Sequence, residues 1–518
     1  MRTLKLVLCA LLLVTQFRAP ELRAEVIQLI HTNDLHSYFQ GTRRGLGGYA
    51  RLKTVIKGLR DRARARGIQS LYLDGGDFGE GSSFYFSNHG VDSLRALDLL
   101  GVDVTVLGNH DFILGGPELR RQILVAKLRA RMLSANLGGK RLLRLEKLLP
   151  DSVDVRFGDV TLRVIGLTTD EIHYVYPLRP LGFIRDPIKA GIREARRARA
   201  AGVDFTIALT HIGLTKDIEL VEKTREVDLV VGGHTHIVLP RPMLQKNLEG
   251  RLIPILQAGA HSGHVGVMTV DVRKGEAPVL VDYELVQIDR SLPEDAAMRD
   301  FVAGAAAARE RYFGGRRWDE VIGETEIPLT GNVNGQDGEK NSCWSRHIAK
   351  FTREAAGAEL GLQFDVFQGE QIDPGTVTFG DVVDNFPHFR RWGDKGWKVT
   401  RTRVNGFLLR QIVEFLANSE LALQITIDGL TVQDKDGEHR RFDPRRHPAS
   451  AARVNGERIQ GFRDYTIALP SEIPFGAFKL ANVLALVLLQ NLRAVPDSEY
   501  WVLFEDYLRK NSPLRCLE

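Results

Sequence analysis

The first half of the chain alternates short apolar runs with stretches that carry hydrophobic residues every three to four positions. Five of the apolar runs end abruptly in polar residues. Val26–Ile30 runs into His31, Asn33, Asp34 and His36. Leu71–Leu73 runs into Asp74 and Asp77. Val104–Leu107 runs into Gly108, Asn109, His110 and Asp111. Phe205–Leu209 runs into Thr210 and His211, and Leu229–Val231 into Gly232, Gly233, His234 and His236. Runs of this length read as strands buried on both faces. The stretches between them read as helices. Arg51–Arg66 places Leu52, Val55, Ile56 and Leu59 on one face, Val91–Leu100 stops at Gly101, and Pro187–Ala201 stops at Gly202. From Val26 to about Val286 the pattern predicts an α/β layered domain.

Ser291–Phe313, rich in alanine and charge, reads as a connecting helix that Gly314 and Gly315 end. Beyond it the pattern predicts a second α/β domain. It opens with Val321–Leu329, continues with helices at His347–Ala356 and Phe407–Leu416 and strands at Leu423–Ile427 and Tyr465–Leu469, and closes with helical parts at Leu480–Leu492 and Tyr500–Leu508. Asp373–Gly375 and Asp434–Gly437 have turn composition. The expected division is residues 1–24 as a signal, 25–290 as the first domain, 291–318 as the linker helix and 319–518 as the second domain.

Charge changes the picture little. The chain of 518 residues has a formal net charge of +5, of which residues 1–24 carry +3, so the rest carries only +2. That excludes a strong electrostatic case for nucleic acid. The Arg193, Arg196, Arg197 and Arg199 face has Glu194 interleaved and reads as a solvated helix surface. Residues 1–24 have the form of a secretory signal: Arg2 and Lys5 precede the short apolar core Leu6–Val14, with a cleavable junction near Ala24. No later run reaches the roughly 20 apolar residues a membrane-spanning helix needs. The expected location is periplasmic or secreted. Cys9 leaves with the signal. Cys343 and Cys516 either pair there or remain separate core thiols, and the sequence leaves both open.

The strand ends supply oxygen and nitrogen donors of the kind that bind divalent metals, and in open α/β sheets sites form beyond the carboxyl ends of strands. One metal could take Asp34, His36 and His236, and a second Asn109, His211 and His234, with Asp77 bridging them. Two metals held by a shared carboxylate suit displacement at phosphorus. His110, beside a ligand, is then the candidate to stabilise the transition state and protonate the leaving oxygen.

These motifs resemble those of the calcineurin-like metallophosphoesterases: Asp34 with His36, Gly76 with Asp77, Gly108–Asp111, Thr210 with His211, and Gly233 with His234 and His236. Leu29–His36, Gly47–Leu52, Ser134–Asn136 and Val164–Thr169 further resemble the secreted 5′-nucleotidase branch, which includes UDP-sugar hydrolases. The resemblance implies a four-layered α/β/β/α catalytic domain and two divalent metal ions, with manganese, zinc, cobalt and magnesium all open. It also implies a smaller C-terminal 5′-nucleotidase-like α/β domain that recognises substrate. A small-molecule phosphate ester, most naturally a nucleotide or nucleotide derivative, is the expected substrate, and the oligomeric state is left open. A metal-binding protein without catalysis, or a thiosulfohydrolase-like relative, are the alternatives.

The resemblance fades toward the C-terminus. Gly375–Val383 followed by Pro387 fits, as do Val404–Gly406 and Arg453–Gly456 ahead of Tyr465. The family's arginine-bearing recognition segment is matched here by Gln368–Gln371, a phenylalanine by His388, and a glycine- and aspartate-rich segment by Pro474–Phe478. The family's aspartate three residues after the catalytic histidine is Ile113 here. The changed recognition residues imply weak discrimination between nucleobases or a preference for a different leaving group altogether, and Ile113 implies a different orientation of His110.

Overall fold

The computed structural model describes residues 24–171, 182–330, 343–364, 371–386, 395–418, 425–442, 447–471 and 492–517. The expected signal up to residue 23, the expected helical part from 480 to 491, and the segments around Gln368, His388 and Pro474–Phe478 lie outside the described residues. Among the described residues, no helix is long and apolar enough to cross a membrane.

Twelve strands of the first half form two six-stranded sheets. In chain order they are β1 (Glu25–Thr32), β2 (Gln69–Asp74), β3 (Val104–Val106), β4 (Arg131–Leu133), β5 (Ser152–Phe157), β6 (Val160–Thr168), β7 (Phe205–His211), β8 (Leu229–Val231), β9 (Met243–Lys246), β10 (Leu252–Leu256), β11 (His264–Val272) and β12 (Val279–Gln287). The first sheet runs β12-β11-β1-β2-β3-β4 and the second β9-β10-β8-β7-β6-β5. β1 to β4 are mutually parallel, as are β6, β7, β8 and β10. Antiparallel strands complete the edges.

Period-two alternation sorts the side chains into layers. Ile27 and Leu29 of β1, Leu71 and Leu73 of β2, Leu162 and Val164 of β6, and Ile207 and Leu209 of β7 share one buried cluster between the sheets. The opposite face of the first sheet, including Ile30 and Tyr72, packs on Leu52, Ile56 and Leu59 of α1 (Tyr49–Ala65) and on Leu94 and Leu97 of α2 (Val91–Leu100). Leu119 and Ile123 of α3 (Gly116–Ala126) join that layer. The opposite face of the second sheet, with Ile165 and Ala208, packs on Ala190 and Ala195 of α4 (Pro187–Ala200) and Leu220 and Val221 of α5 (Leu214–Glu222). The four layers expected from the resemblance are therefore formed. A one-residue slip of β1 would move Ile27 and Leu29 out of the inter-sheet layer, which is why its register is firmly set.

Local chemistry explains the helix ends. Gly101 takes a left-handed φ of 87° and returns its N–H to Leu97 O, closing α2. Asp186 caps α4 by accepting from the Ile188 and Lys189 backbone, with Pro187 in the first turn. On α4, Glu194 accepts from both Arg193 and Arg197, so part of that basic face is neutralised locally. The connecting helix, α6 (Ala296–Tyr312), starts later than its alanine-rich pattern predicts because Asp295 caps it through Met298 N. Met298, Val302 and Ala305 dock it into the α1 layer.

The second half builds a five-stranded sheet ordered Ile425–Asp428, Leu360–Phe364, Asp464–Pro470, Lys398–Asn405 and Arg493–Glu499. Helices Cys343–Ala355 and Tyr500–Asn511 pack Trp344, Phe351, Tyr500 and Phe504 into an aromatic core with Phe386 and Trp397. Tyr85 and Phe86 from the first half are members of that core, and Ile113 and Leu114 pack against it. Cys343 and Cys516 form a disulfide, which resolves the alternative the sequence left open.

Candidate metal centre and active site

Strand register brings the polar termini together. Thr32 pairs with Asp74 and Asp74 with Thr105 in the first sheet. Leu209 pairs with Val231 and His211 with Thr168 in the second. Backbone bonds then lace the following loops: Asp34 N donates to Gly76 O at 2.9 Å, His36 N to Asp77 O at 2.8 Å, and His261 N to Asp34 O at 2.8 Å. His234 N donates to Asp34 Oδ2 at 3.0 Å, joining loops of the two sheets.

Two groups of donors result, Asp34 with His36 and His236, and Asp77 with His211 and His234, the donor atoms of each lying within 4.8 Å of one another. Asp77 Oδ2 reaches into both, 2.9 Å from His211 Nε2 and 3.8 Å from His36 Nε2. Asn109 is buried beside them, and the backbone N–H of the next residue, His110, donates to Asp77 Oδ1 at 2.8 Å.

Three observations fit these residues to divalent cations. First, Asn109 Oδ1 is buried without a hydrogen-bond partner among the described residues, an expensive state for a group that has no cation to meet. Second, the far nitrogens are fixed: His36 Nδ1 donates to Glu80 O at 2.6 Å and His211 Nδ1 to Gly75 O at 2.7 Å. Each ring is thereby oriented with Nε2 toward the carboxylates, as metal-ligating histidines are. Third, Asp34, His36, Asp77, His234 and His236 all have positive φ, between 47° and 80°. Left-handed backbone costs a non-glycine residue about 1–2 kcal/mol, and such strain clusters at functional sites.

Electrostatics match. Burial pushes the Asp34 carboxyl upward, but the imidazoles of His236 and His211 prevail and bring it to about 2. Burial likewise opposes ionisation of Asp77, and His211 and His110 hold it well below the usual carboxylate range. Both acids are thus acceptor-only at neutral pH. Burial takes His36 down to about 4, keeping it the neutral donor a cation needs. His211 is carried up to about 10, against burial, by Asp77, a proton a bound cation would replace.

His110 lies at the rim of these groups, its ring centroid 5.0 Å from that of His36. Its Nδ1 is 2.5 Å from Glu80 Oε2. Burial alone would lower its pKa, but Asp77 and Glu80 raise it to about 9. Asp111 turns away: its carboxylate accepts from the backbone N–H groups of Asp77, Gly79 and Gly108. Burial and the Asp77 charge raise it to about 8.

Three residues at the site had no sequence signal strong enough to be read. Glu80 sits between two glycines with no period to mark it. Glu171 Oε1 is 3.7 Å from His234 Nε2. His261 stacks on Tyr38 with centroids 3.9 Å apart, and lies 5.7 Å from His36 and 5.6 Å from His236.

Residues 27–238 match the calcineurin-like phosphoesterase family. Among curated relatives, the 5′-nucleotidase of Diplobatis ommata is 28% identical over 336 residues, 59% of this chain and 55% of that protein. The 5′-nucleotidase of Homo sapiens is 28% identical over 350 residues, covering 62% and 58%. The chain spans a little over half the length of the curated relatives it matches. Among solved structures, a 5′-nucleotidase precursor from Thermus thermophilus superposes with a TM-score of 0.75 at 23% identity, covering 95% of this chain and 98% of the other. The sulfate thiohydrolase SoxB of Thermus thermophilus gives 0.67 at 18% identity, covering 95% of each. Both are likenesses of fold, and they run through the two halves of the molecule.

Proposed function

We propose that this protein is a dinuclear-metal-dependent phosphohydrolase that cleaves phosphate esters, nucleotides or their derivatives foremost, outside the cytoplasm. The observation that carries this is Asp77, one buried carboxylate within reach of two separate donor groups. Asp34, His36 and His236 would hold one cation, and Asn109, His211 and His234 the other. When bound, two such cations supply Lewis-acid neutralisation of the phosphoryl oxygens and a lowered pKa for water. His110 is assigned to proton delivery, since its own backbone turn gives the coordinating place to Asn109. Nδ1 faces Glu80, so Nε2 is the nitrogen that exchanges a proton with the leaving oxygen. The Cys343–Cys516 disulfide and the signal-like residues 1–24 support an oxidising, extracytoplasmic location.

The test is hydrolysis of AMP, UMP and an aryl phosphate by residues 25–518 with manganese. All three should turn over, with kcat/KM values within about a hundredfold, that is, within roughly 2.7 kcal/mol of transition-state discrimination. His110→Ala should keep both metals and lose roughly 10²–10⁴ in rate. No hydrolysis by the metal-loaded protein would refute the reading, and loss of metal in His110→Ala would make that residue a ligand.

A further inference from the structure

Glu80 is fully buried, with 0% of its surface exposed. Its backbone carbonyl accepts from His36 Nδ1 at 2.6 Å, and its carboxylate meets His110 Nδ1 at 2.5 Å. One residue therefore addresses two imidazoles of the site. The flanking glycines permit the approach: a Cβ at Gly81 would lie 2.6 Å from His36 Nδ1, and one at Gly79 3.0 Å from Asp111 Oδ1. A buried carboxylate is costly unless paired, and the pairing here is with the imidazole assigned to proton delivery.

We propose that Glu80 is the positioning residue of His110, fixing its Nδ1–H tautomer and ring plane so that Nε2 faces the leaving oxygen. The proposal rests on the phosphohydrolase reading above. Asp111 is committed to three backbone N–H groups, and position 113 is an isoleucine packed against the core of the second half. The carboxylate comes from the loop after β2, not from the turn that bears His110. In the reaction, water oxygen bonds to phosphorus as the bond to the leaving oxygen breaks. The Nε2 proton passes to that oxygen, the water surrenders a proton to solvent, and the ring recovers one from solvent. The Nδ1 proton stays between ring and Glu80 throughout.

The test combines Glu80→Gln, Glu80→Asp, His110→Ala and the double variant Glu80→Gln/His110→Ala. In Glu80→Gln, kcat for AMP should fall roughly 10–100-fold, with KM and bound metal unchanged. Glu80→Asp should recover part of that loss. The loss should be several-fold smaller for 4-nitrophenyl phosphate, whose leaving group departs as a stable anion. In the His110→Ala background, Glu80→Gln should cost less than about threefold, because residues acting as a unit are not additive. Proton NMR should show a far-downfield Nδ1–H signal that both Glu80→Gln and His110→Ala abolish.

Equal losses for both leaving groups, an undiminished effect of Glu80→Gln without His110, or survival of the downfield signal in Glu80→Gln would each overturn the proposal. If wild type hydrolysed no phosphate ester yet its downfield signal vanished in both single variants, the Glu80 contact would stand and the phosphohydrolase reading would fall.

Discussion

One methyl group at Gly108 should disable the site. A Cβ there would lie 2.1 Å from Asp77 Oδ1, 2.4 Å from Asp77 N and 2.8 Å from Asp77 Cγ. Non-bonded heavy atoms settle at roughly 3.5 Å, so in Gly108→Ala the carboxylate must retreat by about 1.4 Å and the Asp77 backbone nitrogen by about 1.1 Å. That retreat breaks the 2.8 Å bond from His110 N to Asp77 Oδ1 and shifts Oδ2 from His211 and His36. Gly108 is not among the positive-φ positions, so alanine suffers no strain from its own φ and the damage comes from the clash with Asp77. Overpacking should cost about 1–3 kcal/mol of stability. Misplacing a catalytic group by about 1 Å should cost on the order of a hundredfold in rate. The assay is elemental analysis of metal per chain, kcat for an aryl phosphate at saturating manganese, and a thermal midpoint. Two metals per chain with kcat within about threefold of wild type would refute the reasoning, because a carboxylate able to yield by that much is not the shared bridge.

Asp77→Asn, which keeps shape and removes charge, should lose metal and activity together; a normal two-metal stoichiometry with normal turnover would withdraw the bridging role. Cys343 and Cys516 close a loop over a sequence separation of 173. Loop entropy sets an upper value of about 5 kcal/mol for that cross-link, so the double cysteine-to-alanine variant should lose about 2–5 kcal/mol, read as the shift in denaturant midpoint of the oxidised protein. An unchanged midpoint would show that the bond constrains nothing. Burial pushes Asp217 up to about 7 from an ordinary value of 3.8. The folded state therefore holds the extra proton between those values, so this group's stabilisation is full below about pH 4 and is lost as pH rises through 7, by on the order of 4 kcal/mol. Urea unfolding at pH 5 and 8 should show a shallower loss in Asp217→Asn, and parallel losses would count against the shift.

The parts of this molecule legible in its sequence share a physical cause. Ile27, Leu29, Ile207 and Leu209 read as strands because sheets buried on both faces demand unbroken apolar runs. The residues that follow were conspicuous because polar donors so close to a core need a reason. Gly101 marked a helix end by backbone chemistry that acts locally. What stayed hidden depends on long-range pairing. The antiparallel hairpin β11–β12 extends the first sheet beyond β1, and nothing local says it joins there. Cys343 and Cys516 meet only after the second half has folded. Glu80 escaped notice because a single acid in a glycine-flanked loop has no pattern, and its meaning lies in where His110 arrives. Ile113 was visible as a departure from the family pattern. Its contact with the aromatic core of the second half shows what the position does instead.

The left-handed backbone at Asp34, His36, Asp77, His234 and His236 bears on how such a site ages. Glycine adopts that conformation with the least strain, so a lineage released from its duty would gain stability by drifting toward it at each of these five places. Aspartate and histidine stand there instead, in the conformation that suits them less. A protein that had only inherited this centre would have had five separate opportunities to relax it.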